Sequence, residues 1–479
     1  MTDPRIVEGV SSRPVHDFAD LRAALELPAR ERTDEFPADV VAEADRLAAL
    51  APDAPADRTD VPFVTIDPPA AMDLDQAVAL ERLDGGGFRV HYAIADLGSV
   101  IELGSAIDLE ARRRGQTIYL PDGRVPLHPP VLSEGVLSLL PDQRRRAALW
   151  TIEVTRTGEI SSASVERALV TSVARLDYAG VQRDADAGRV HPSIEALPDL
   201  GELRRTVRLA AGAIDLALPA QEVVPDGDDW TIRIEPRNQV DAWNAEVSLL
   251  TGMAAADMML RAEVGLLRYL PDPDAEEVDR FRDLITCLGI SAPAGASAGT
   301  VLSGLDQRLS TSLAAMSGAT RLLRGAGYVA FDGAPPENAT HAGIGGAYAH
   351  VTAPLRRLAD RFGTEVCLAL SAGETVPEDL RAVLPQIADA MRDSDHRSAR
   401  ADREAINRVE VWIMQDHGEQ TFDAVVLRGA DGDRPAEIMV VSPPVVASCS
   451  GEGLTPGASV TVRVEEIDVE AKRVRYATC

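Results

Sequence analysis

The stretch that decides the fold is VPFVTIDPPAAMDLDQAVAL, residues 61–80. Two apolar runs in it, 63–66 and 77–80, predict neighbouring strands of a sheet. The loop between them carries Pro68 and Pro69, which keep this part of the chain out of a helix. We therefore expect a rigid, extended loop at the edge of a sheet.

Three carboxylates, Asp67, Asp73 and Asp75, lie on this loop. Asp73 and Asp75 are two residues apart, so their side chains point the same way in an extended segment. Mg²⁺ prefers oxygen ligands, usually carboxylates together with phosphate oxygens, and phosphodiester cleavage by metal ions needs such a cluster. The alternative is a solvated acidic loop, because a chain with 76 acidic residues forms such triplets by chance.

The composition is that of an ordinary globular protein of two or three domains, with 479 residues of which 45% are hydrophobic. The first residues carry no apolar signal segment, and no stretch approaches the length of a membrane span. We therefore expect neither secretion nor membrane insertion. Cys287, Cys367, Cys449 and Cys479 are scattered without metal-site spacing, which is typical of thiols in a reducing, cytoplasmic setting.

The formal net charge of −28 opposes long-range attraction of nucleic acid. An acidic shell can nevertheless surround a narrow basic channel. Nearly all the positive charge is arginine, and Lys472 is the single lysine. Arginine makes planar, bidentate contacts with phosphate, although a GC-rich genome would favour arginine codons as well.

The chain divides by pattern into three parts. Residues 1–58 predict a short helical segment, residues 59–415 begin with strands and become helical after about residue 200, and residues 420–479 predict a small β-barrel. A glycine-rich turn at 84–87 predicts a hairpin. The predicted helices are 105–114, 201–218, 243–269, 273–288, 356–371 and 377–415, and the predicted later strands are 147–155, 421–428, 436–441, 446–449, 459–464 and 474–477.

A second motif is YAHVTAPLRRLAD, residues 348–360. Its Thr and Pro predict a helix start with Arg356 and Arg357 in the first turn, where the helix dipole favours anions over cations. Two arginines beside free backbone amides would make a phosphate cradle. The alternative is an ordinary ion pair with Asp360.

A third motif is RRRGQTIYLP, residues 112–121, in which a basic helix end runs into an extended segment. Tyr119 is placed to stack on a base. The alternative is a surface helix followed by an edge strand.

Together these motifs resemble the RNB domain, the catalytic domain of ribonuclease II and ribonuclease R. The resemblance covers roughly residues 60–400, and its strength comes from many motifs in the family's order. Besides the three above, these motifs are AIAD (93–96), GSAID (104–108), VPL (125–127), LSEGVLSL (132–139) and Glu246 in a predicted helix. The resemblance implies an α+β catalytic domain, a mixed sheet with surrounding helices, closed by a C-terminal OB-like β-barrel.

The resemblance also implies an activity. Members of the family are processive, magnesium-dependent 3′-to-5′ exoribonucleases that hydrolyse single-stranded RNA to nucleoside 5′-monophosphates. By position, Asp67, Asp73 and Asp75 would hold Mg²⁺, and Asp75 matches the most critical acid. Arg356 would stabilise charge on the scissile phosphate, with Arg357 beside it contacting RNA.

Three further positions match RNA contacts of the family. Tyr119 matches an aromatic residue that clamps the RNA 3′ end, Tyr178 a base-contacting tyrosine, and Glu246 a glutamate near the terminal nucleotides. RNA would be distinguished from DNA by contact with the 2′-hydroxyl.

The chain departs from the family pattern at several places. Gln76 stands where a fourth acid is usual; its amide oxygen can still ligate Mg²⁺ but adds no charge. Ala245 stands where a glutamate is common, and residues 1–58 are too few and too helical for the two cold-shock-type domains usual in front. Two alternatives therefore stay open: a catalytically weakened RNA-binding or regulatory protein, and a hydrolase of short oligoribonucleotides.

Overall fold

The computed structural model describes residues 16–216, 220–227, 229–235, 238–293, 295–417, 420–432 and 434–479. In these ranges the helices are α1 (Ala19–Ala24), α2 (Ala38–Ala48), α3 (Ala106–Arg114), α4 (Tyr178–Asp186), α5 (Leu197–Ala210), α6 (Gln239–Arg261), α7 (Ala275–Cys287), α8 (Ala298–Ser303), α9 (Ser310–Ala319), α10 (Leu358–Ser371) and α11 (Glu378–His417). Short helical turns lie at Arg30–Arg32, Val131–Val136, Pro192–Ile194 and Thr320–Leu322.

The strands fall into one large sheet, several hairpins and a barrel. They are β1 (Ala56–Asp57), β2 (Phe63–Ile66), β3 (Gln76–Arg82), β4 (Phe88–Ala95), β5 (Ile118–Leu120), β6 (Gly123–Val125), β7 (Arg144–Val154), β8 (Ile160–Leu176), β9 (Ala220–Asp226), β10 (Asp229–Glu235), β11 (Val264–Tyr269), β12 (Gly327–Asp332), β13 (Thr340–His341), β14 (Gly346–Ala347), β15 (Thr421–Arg428), β16 (Ala436–Val440), β17 (Val446–Ser450), β18 (Ser459–Asp468) and β19 (Arg473–Thr478).

The large sheet is mixed and has the strand order β1-β8-β2-β3-β4-β7. Strand β8 pairs antiparallel with β7 along its first part and parallel with β1 and β2 along its last part, so the sheet curls back on itself. The predicted hairpin at 84–87 is confirmed, since the Leu83 amide donates to the Gly87 carbonyl (2.9 Å) between β3 and β4. Strand β8 could not be predicted from its sequence, in which Ser, Glu and Arg weaken the alternation of apolar and polar residues. Pairing with β7, β1 and β2 specifies it instead.

The main core lies between this sheet and helices α6 and α10. Trp150 and Tyr92 from the sheet, Val247 from α6, and Phe362 and Val366 from α10 are all buried in one apolar cluster. Burial on this scale is the main source of stability for an amphipathic helix lying on a sheet. The core therefore fixes α6 and α10 relative to the loop that joins β2 to β3.

The helix predicted over 243–269 is wrong in its last third. Helix α6 ends at Arg261, Glu263 adopts a left-handed conformation (φ 56°), and Val264–Tyr269 is strand β11, paired antiparallel with β12. The apolar residues of this stretch fit the period of a helix and that of a strand equally well. Pairing with β12, far along the chain, selects the strand. The helix predicted over 201–218 ends at Ala210, and its positions 217–218 lie outside the described residues.

The C-terminal strands form a closed barrel in the order β15-β16-β17-β19-β18, which confirms the predicted OB-like barrel. Its interior holds Phe422 and Tyr476, and this core continues onto α11, onto Phe18 just before α1 and onto Leu21 of α1. The described part of the front segment contains the predicted helical elements as α1 and α2, together with loops and the short strand β1, while positions 1–15 lie outside the described residues. Over the described ranges, no helix combines the length and the apolar character needed to cross a bilayer.

Candidate active site

A cavity of about 840 Å³ opens where the β2–β3 loop, the β5–β6 hairpin and the segment before α10 meet. The three acids predicted to act together all line it, as do the predicted residues Gln76, Tyr119, Tyr178 and Arg356. The other lining residues are Thr33, Asp34, Pro68, Ala70, Ala71, Leu120, Pro121, Gly123 and Arg124.

Ser138 holds the acidic loop, residues 67–75 between β2 and β3, through two hydrogen bonds. The Leu74 amide donates to Ser138 Oγ (2.9 Å), and that hydroxyl donates to the Met72 carbonyl (2.6 Å). Arg175 holds the other end of the loop by donating to the Pro68 and Pro69 carbonyls (3.3 and 2.5 Å). The non-helical course predicted from the prolines includes a turn at residues 68–71 and is held by side chains from two neighbouring segments.

Asp75 is the most enclosed of the three acids. Its Oδ1 accepts a hydrogen bond from the Leu355 amide (2.7 Å), and its carbonyl accepts one from the Ala95 amide (2.9 Å). Burial raises the pKa of Asp75 to about 8, against the opposing effect of the Arg356 guanidinium. A buried carboxylate with so little compensation is a site that a positive charge would stabilise.

Asp67 and Asp73 complete the acidic group. Asp67 is anchored through its amide to the Leu176 carbonyl (3.1 Å), and burial raises its pKa to about 6. Its Oδ2 is buried and has no hydrogen-bond partner. Asp73 Oδ1 lies 3.8 Å from Arg124 Nη1.

Arg356 points into the cavity, with Nε 3.6 Å from Asp75 Oδ2 and 44% of its side chain exposed. Its neighbour Arg357 points elsewhere: Nη2 and Nε donate to Asp360 at 2.8 and 2.9 Å. That pair is largely enclosed, because Asp360 is fully buried and the Arg357 side chain is 19% exposed. The ion pair raised as the alternative from the sequence is therefore present for Arg357 and absent for Arg356.

The predicted placement of both arginines in a first helical turn is wrong, because α10 begins at Leu358. The backbone before it pairs with the segment after α3 instead: Thr117 donates to the Arg356 carbonyl, and Leu358 donates to the Gly115 carbonyl, each at 3.0 Å. This pairing holds Arg357 in an extended conformation, bridged to Gln116, whereas Arg356 belongs to the turn just before it. The two side chains have different partners, Asp75 for Arg356 and Asp360 for Arg357.

Two tyrosines flank the cavity. Tyr119 stands on the β5–β6 hairpin with 47% of its surface exposed. Tyr178 begins α4, and its hydroxyl accepts a hydrogen bond from Asn244 Nδ2 (3.3 Å). Both rings are thus available beside the acids.

Glu246 is not brought to the cavity. Its carboxylate is buried and takes two hydrogen bonds from Arg208, at 2.8 Å from Nε and 2.5 Å from Nη2. Sequence matching alone could not reveal this partner, which lies on a different helix. The role predicted for Glu246 at the RNA end stays a prediction, and its geometry in this structure is that of a buried ion pair.

Several cavity residues were not found from sequence. Arg124 faces Asp73 and also pairs with Glu134; a basic residue near Tyr119 on the same hairpin was the available signal. Thr33 and Asp34 come from the front segment, and no local pattern connects that segment with the acidic loop. Its attachment is tertiary: Arg22 donates twice to Asp122 (3.0 and 2.7 Å).

The carboxylates of Asp67, Asp73 and Asp75 are chemically suitable ligands for a hard divalent cation. Within the described ranges no three His, Cys, Asp or Glu side chains are already gathered as a ligand group. The unpartnered Oδ2 of Asp67 and the buried carboxylate of Asp75 nevertheless lie on one cavity with Asp73. Carboxylate oxygens are the ligands preferred by Mg²⁺ and similar ions, so the residues present fit such an ion.

A curled mixed sheet with an acidic loop, an opposing arginine and a C-terminal barrel defines a class of protein, and sequence comparison identifies it. The RNB domain model matches residues 56–363, and the model of the RNase II-type exonuclease C-terminal S1 domain matches residues 420–477. The chain therefore belongs to the RNB-domain family. The family resemblance and the fold class predicted from the sequence are confirmed.

Among curated relatives, ribonuclease R of Escherichia coli is 31% identical over 321 residues, which cover 64% of this chain and 39% of that protein. Ribonuclease R of Vibrio cholerae is 30% identical, covering 69% of this chain and 42% of the relative. The chain thus spans about two fifths of the length of these relatives.

Solved structures agree on the fold. The apo form of Mycoplasma genitalium RNase R aligns with a TM-score of 0.83 at 21% identity, over 97% of this chain and 79% of that one. Yeast Ssd1, described as a pseudonuclease, aligns with a TM-score of 0.65 at 16% identity, over 84% of this chain and 53% of that one. The same fold therefore occurs in proteins with and without nuclease activity, and the site residues must decide between them.

Proposed function

We propose that this chain is a 3′-to-5′ exoribonuclease that hydrolyses single-stranded RNA to nucleoside 5′-monophosphates with Mg²⁺. The observation that carries the proposal is that Asp67, Asp73, Asp75 and Arg356 face one cavity. Phosphodiester hydrolysis needs an activated water and neutralisation of the charge that develops on the phosphate oxygens. The two needs are met by the acids and by the arginine, respectively.

Each residue has a distinct part in this proposal. Asp67, Asp73 and Asp75 would hold Mg²⁺, which when bound supplies an acidified water and neutralises phosphate charge. Arg356 is free to donate to a non-bridging phosphate oxygen, because its contact with Asp75 is a loose one at 3.6 Å. Arg357 supports it indirectly by fixing the backbone through Asp360.

The tyrosines would hold the end of the strand. Tyr119 and Tyr178 line the same cavity as the acids, so bases of a single strand could stack on them while a phosphate reaches the acids. A structure of Mycoplasma genitalium RNase R is described as a complex with ribose-methylated single-stranded RNA, which supports this class of substrate. The free thiols of the four cysteines are compatible with the cytoplasmic location that we propose.

The test uses end-labelled single-stranded RNA of about thirty nucleotides with and without Mg²⁺. We expect a ladder that shortens from the 3′ end and releases nucleoside monophosphates. Asp75→Asn should lower turnover by more than about 10³-fold while RNA affinity stays within a few-fold. Asp84→Asn, at an exposed turn residue, is the matched control and should match the wild type.

Wild-type turnover in Asp75→Asn would contradict the role of Asp75. RNA binding by the wild type without any shortening would favour the alternative of a catalytically weakened RNA-binding protein, which the departures at Gln76 and Ala245 suggest.

A second candidate is a hydrolase of short oligoribonucleotides, and it rests on the front segment. Thr33 and Asp34 line the same cavity as the acids and Arg356, so residues of the 1–58 segment occupy part of its wall. Asp34 would also repel the phosphates of a longer strand. Comparing kcat/KM for a dinucleotide and a thirty-mer decides between the two: a clear preference for the dinucleotide supports the second candidate.

A further inference from the structure

Gln76, the residue that replaces the usual fourth acid, has both ends of its side-chain amide hydrogen-bonded within the protein. Its Nε2 donates to the Thr352 carbonyl at 2.7 Å. Its Oε1 accepts from the Tyr92 hydroxyl and, at 3.4 Å, from Ser248 Oγ. Tyr92 Oη and Ser248 Oγ lie 2.8 Å apart, so the single Ser248 hydrogen can go either to the Tyr92 oxygen or to Gln76 Oε1.

These partners define which way the amide faces. The Thr352 carbonyl can only accept, so the group that meets it must be the NH₂. Burial raises the pKa of Tyr92, which keeps its hydroxyl protonated and able to donate to Oε1. A carboxylate in this place would set an oxygen against the Thr352 carbonyl, so the surroundings are built for an amide.

Gln76 also connects the two halves of the site. Asp75 accepts a hydrogen bond from the Leu355 amide (2.7 Å) while Gln76 donates to Thr352. Asp75 and Gln76 are therefore both hydrogen-bonded to the backbone of residues 352–355. Arg356 directly follows this segment. The distance between the carboxylates and the guanidinium depends on this double attachment.

We propose that Gln76 is a positioning residue and not a metal ligand, so that the divalent cation is held by Asp67, Asp73 and Asp75 alone. In this arrangement Gln76 fixes Arg356 relative to the carboxylates. The inference replaces the ligand role predicted for Gln76 from sequence. It rests on the proposed function for its kinetic consequences only, since cation binding can be measured without RNA.

The first experiment measures binding of Mn²⁺ alone to the full chain by calorimetry. Gln76→Met keeps the volume of the side chain and removes its hydrogen bonds, and we expect its Mn²⁺ affinity to stay within about threefold of the wild type. Asp73→Asn, which removes a proposed ligand, should weaken Mn²⁺ by more than about tenfold. A tenfold loss in Gln76→Met as well would overturn the proposal, because Mn²⁺ would then depend on Gln76 as much as on Asp73.

The second experiment separates kcat from KM on single-stranded RNA. A small misplacement of Arg356 should lower kcat of Gln76→Met by about 10- to 100-fold, with KM within about threefold. Ser248→Ala leaves Gln76 itself intact and loosens its oxygen end, so it should show a smaller loss of the same kind and serves if Gln76→Met folds poorly. Unchanged kcat in both variants would contradict positioning.

Gln76→Asp gives the sharpest contrast. Asp is one methylene shorter and cannot donate to the Thr352 carbonyl, so we expect kcat to fall and Mn²⁺ stoichiometry to stay that of the wild type. An increase in kcat together with an additional bound Mn²⁺ would show that Gln76 marks a vacated ligand position. Complete absence of hydrolysis in the wild type would count against the proposed function, while the Mn²⁺ comparison would still decide the role of Gln76.

Discussion

The acidic cavity and the C-terminal barrel handle their polar and aromatic groups in opposite ways. In the cavity, Asp67 Oδ2 has no partner, Asp75 is buried at a raised pKa, and the ring of Tyr119 is half exposed. In the barrel, the rings of Phe422 and Tyr476 are packed inside, 6.4 Å apart. The cavity thus leaves an acid oxygen and an aromatic ring open to a ligand, whereas the barrel uses its aromatic rings for packing.

Replacing the neighbouring residues Arg357 and Arg356 in turn should give the largest effects. Arg357→Ala leaves the fully buried Asp360 without its charged partner, which should lower the free energy of unfolding by about 3–5 kcal/mol. Urea unfolding followed by circular dichroism measures it. Arg82→Ala, which breaks an exposed pair with Asp199, should cost less than about 1 kcal/mol. Equal losses in the two variants would mean that the Arg357–Asp360 pair is not structural.

Arg356→Ala should show the reverse pattern, with stability nearly unchanged and activity lost. Its side chain is half exposed and its contact with Asp75 is loose at 3.6 Å, so removing it disturbs little packing. Loss of a charge-stabilising donor at the phosphate should lower kcat by about 10²–10³-fold. Single-turnover kinetics on a labelled strand measure this, and a stability loss as large as that of Arg357→Ala would erase the distinction between the neighbours.

A buried acid, Glu410 of α11, packs against the barrel. Burial raises its pKa to about 8, and its Oε1 accepts a weak hydrogen bond from the Tyr476 hydroxyl (3.4 Å). The folded state therefore favours the protonated carboxyl, and its contribution to stability is present at acid pH and lost as pH rises towards 8. Glu410→Gln should be more stable than the wild type by about 2–4 kcal/mol at pH 9.

That advantage should shrink as the pH is lowered towards 5, because the wild-type carboxyl is then protonated in the folded state. Thermal unfolding of both proteins at several pH values measures the difference. A constant difference across this range would show that Glu410 does not titrate with folding.

The smallest expected effect compares RNA affinity at the two regions. Tyr119→Ala should weaken binding of a single strand by about 1–3 kcal/mol through loss of stacking. Arg463→Ala removes an exposed cation of the barrel and should change affinity less than twofold at physiological salt. Fluorescence anisotropy with a labelled strand measures both, and a larger loss for Arg463→Ala would make the barrel a principal binding surface.

Local chemistry explains what could be predicted from the sequence. The acidic loop is specified by prolines and by residue spacing within one short stretch, so its shape and its edge position followed from the pattern. The barrel strands and the 84–87 hairpin carry their own turn signals. These features depend on neighbours in sequence, which is the information that a pattern contains.

Tertiary partners explain what could not be predicted. Arg356 and Arg357 lie before helix α10 because residues 115–117 pair with this segment, and Glu246 is turned away from the cavity because Arg208 holds it. Asp34 reaches the cavity through contacts made by a segment remote in sequence. None of these partners can be recognised from the local sequence pattern. The types of the site residues could therefore be read from the sequence, but the directions of their side chains could not.

The double pairing of β8 bears on how the molecule is made. One edge of strand β2 pairs with β3, which follows closely in the sequence. Its other edge pairs with Ser172–Leu176 of β8, which is synthesised about a hundred residues later. Until the ribosome has released that stretch, Phe63 and Val64, which are fully buried in the finished protein, stay open to solvent. The nascent chain should therefore depend on chaperones most strongly before β8 emerges.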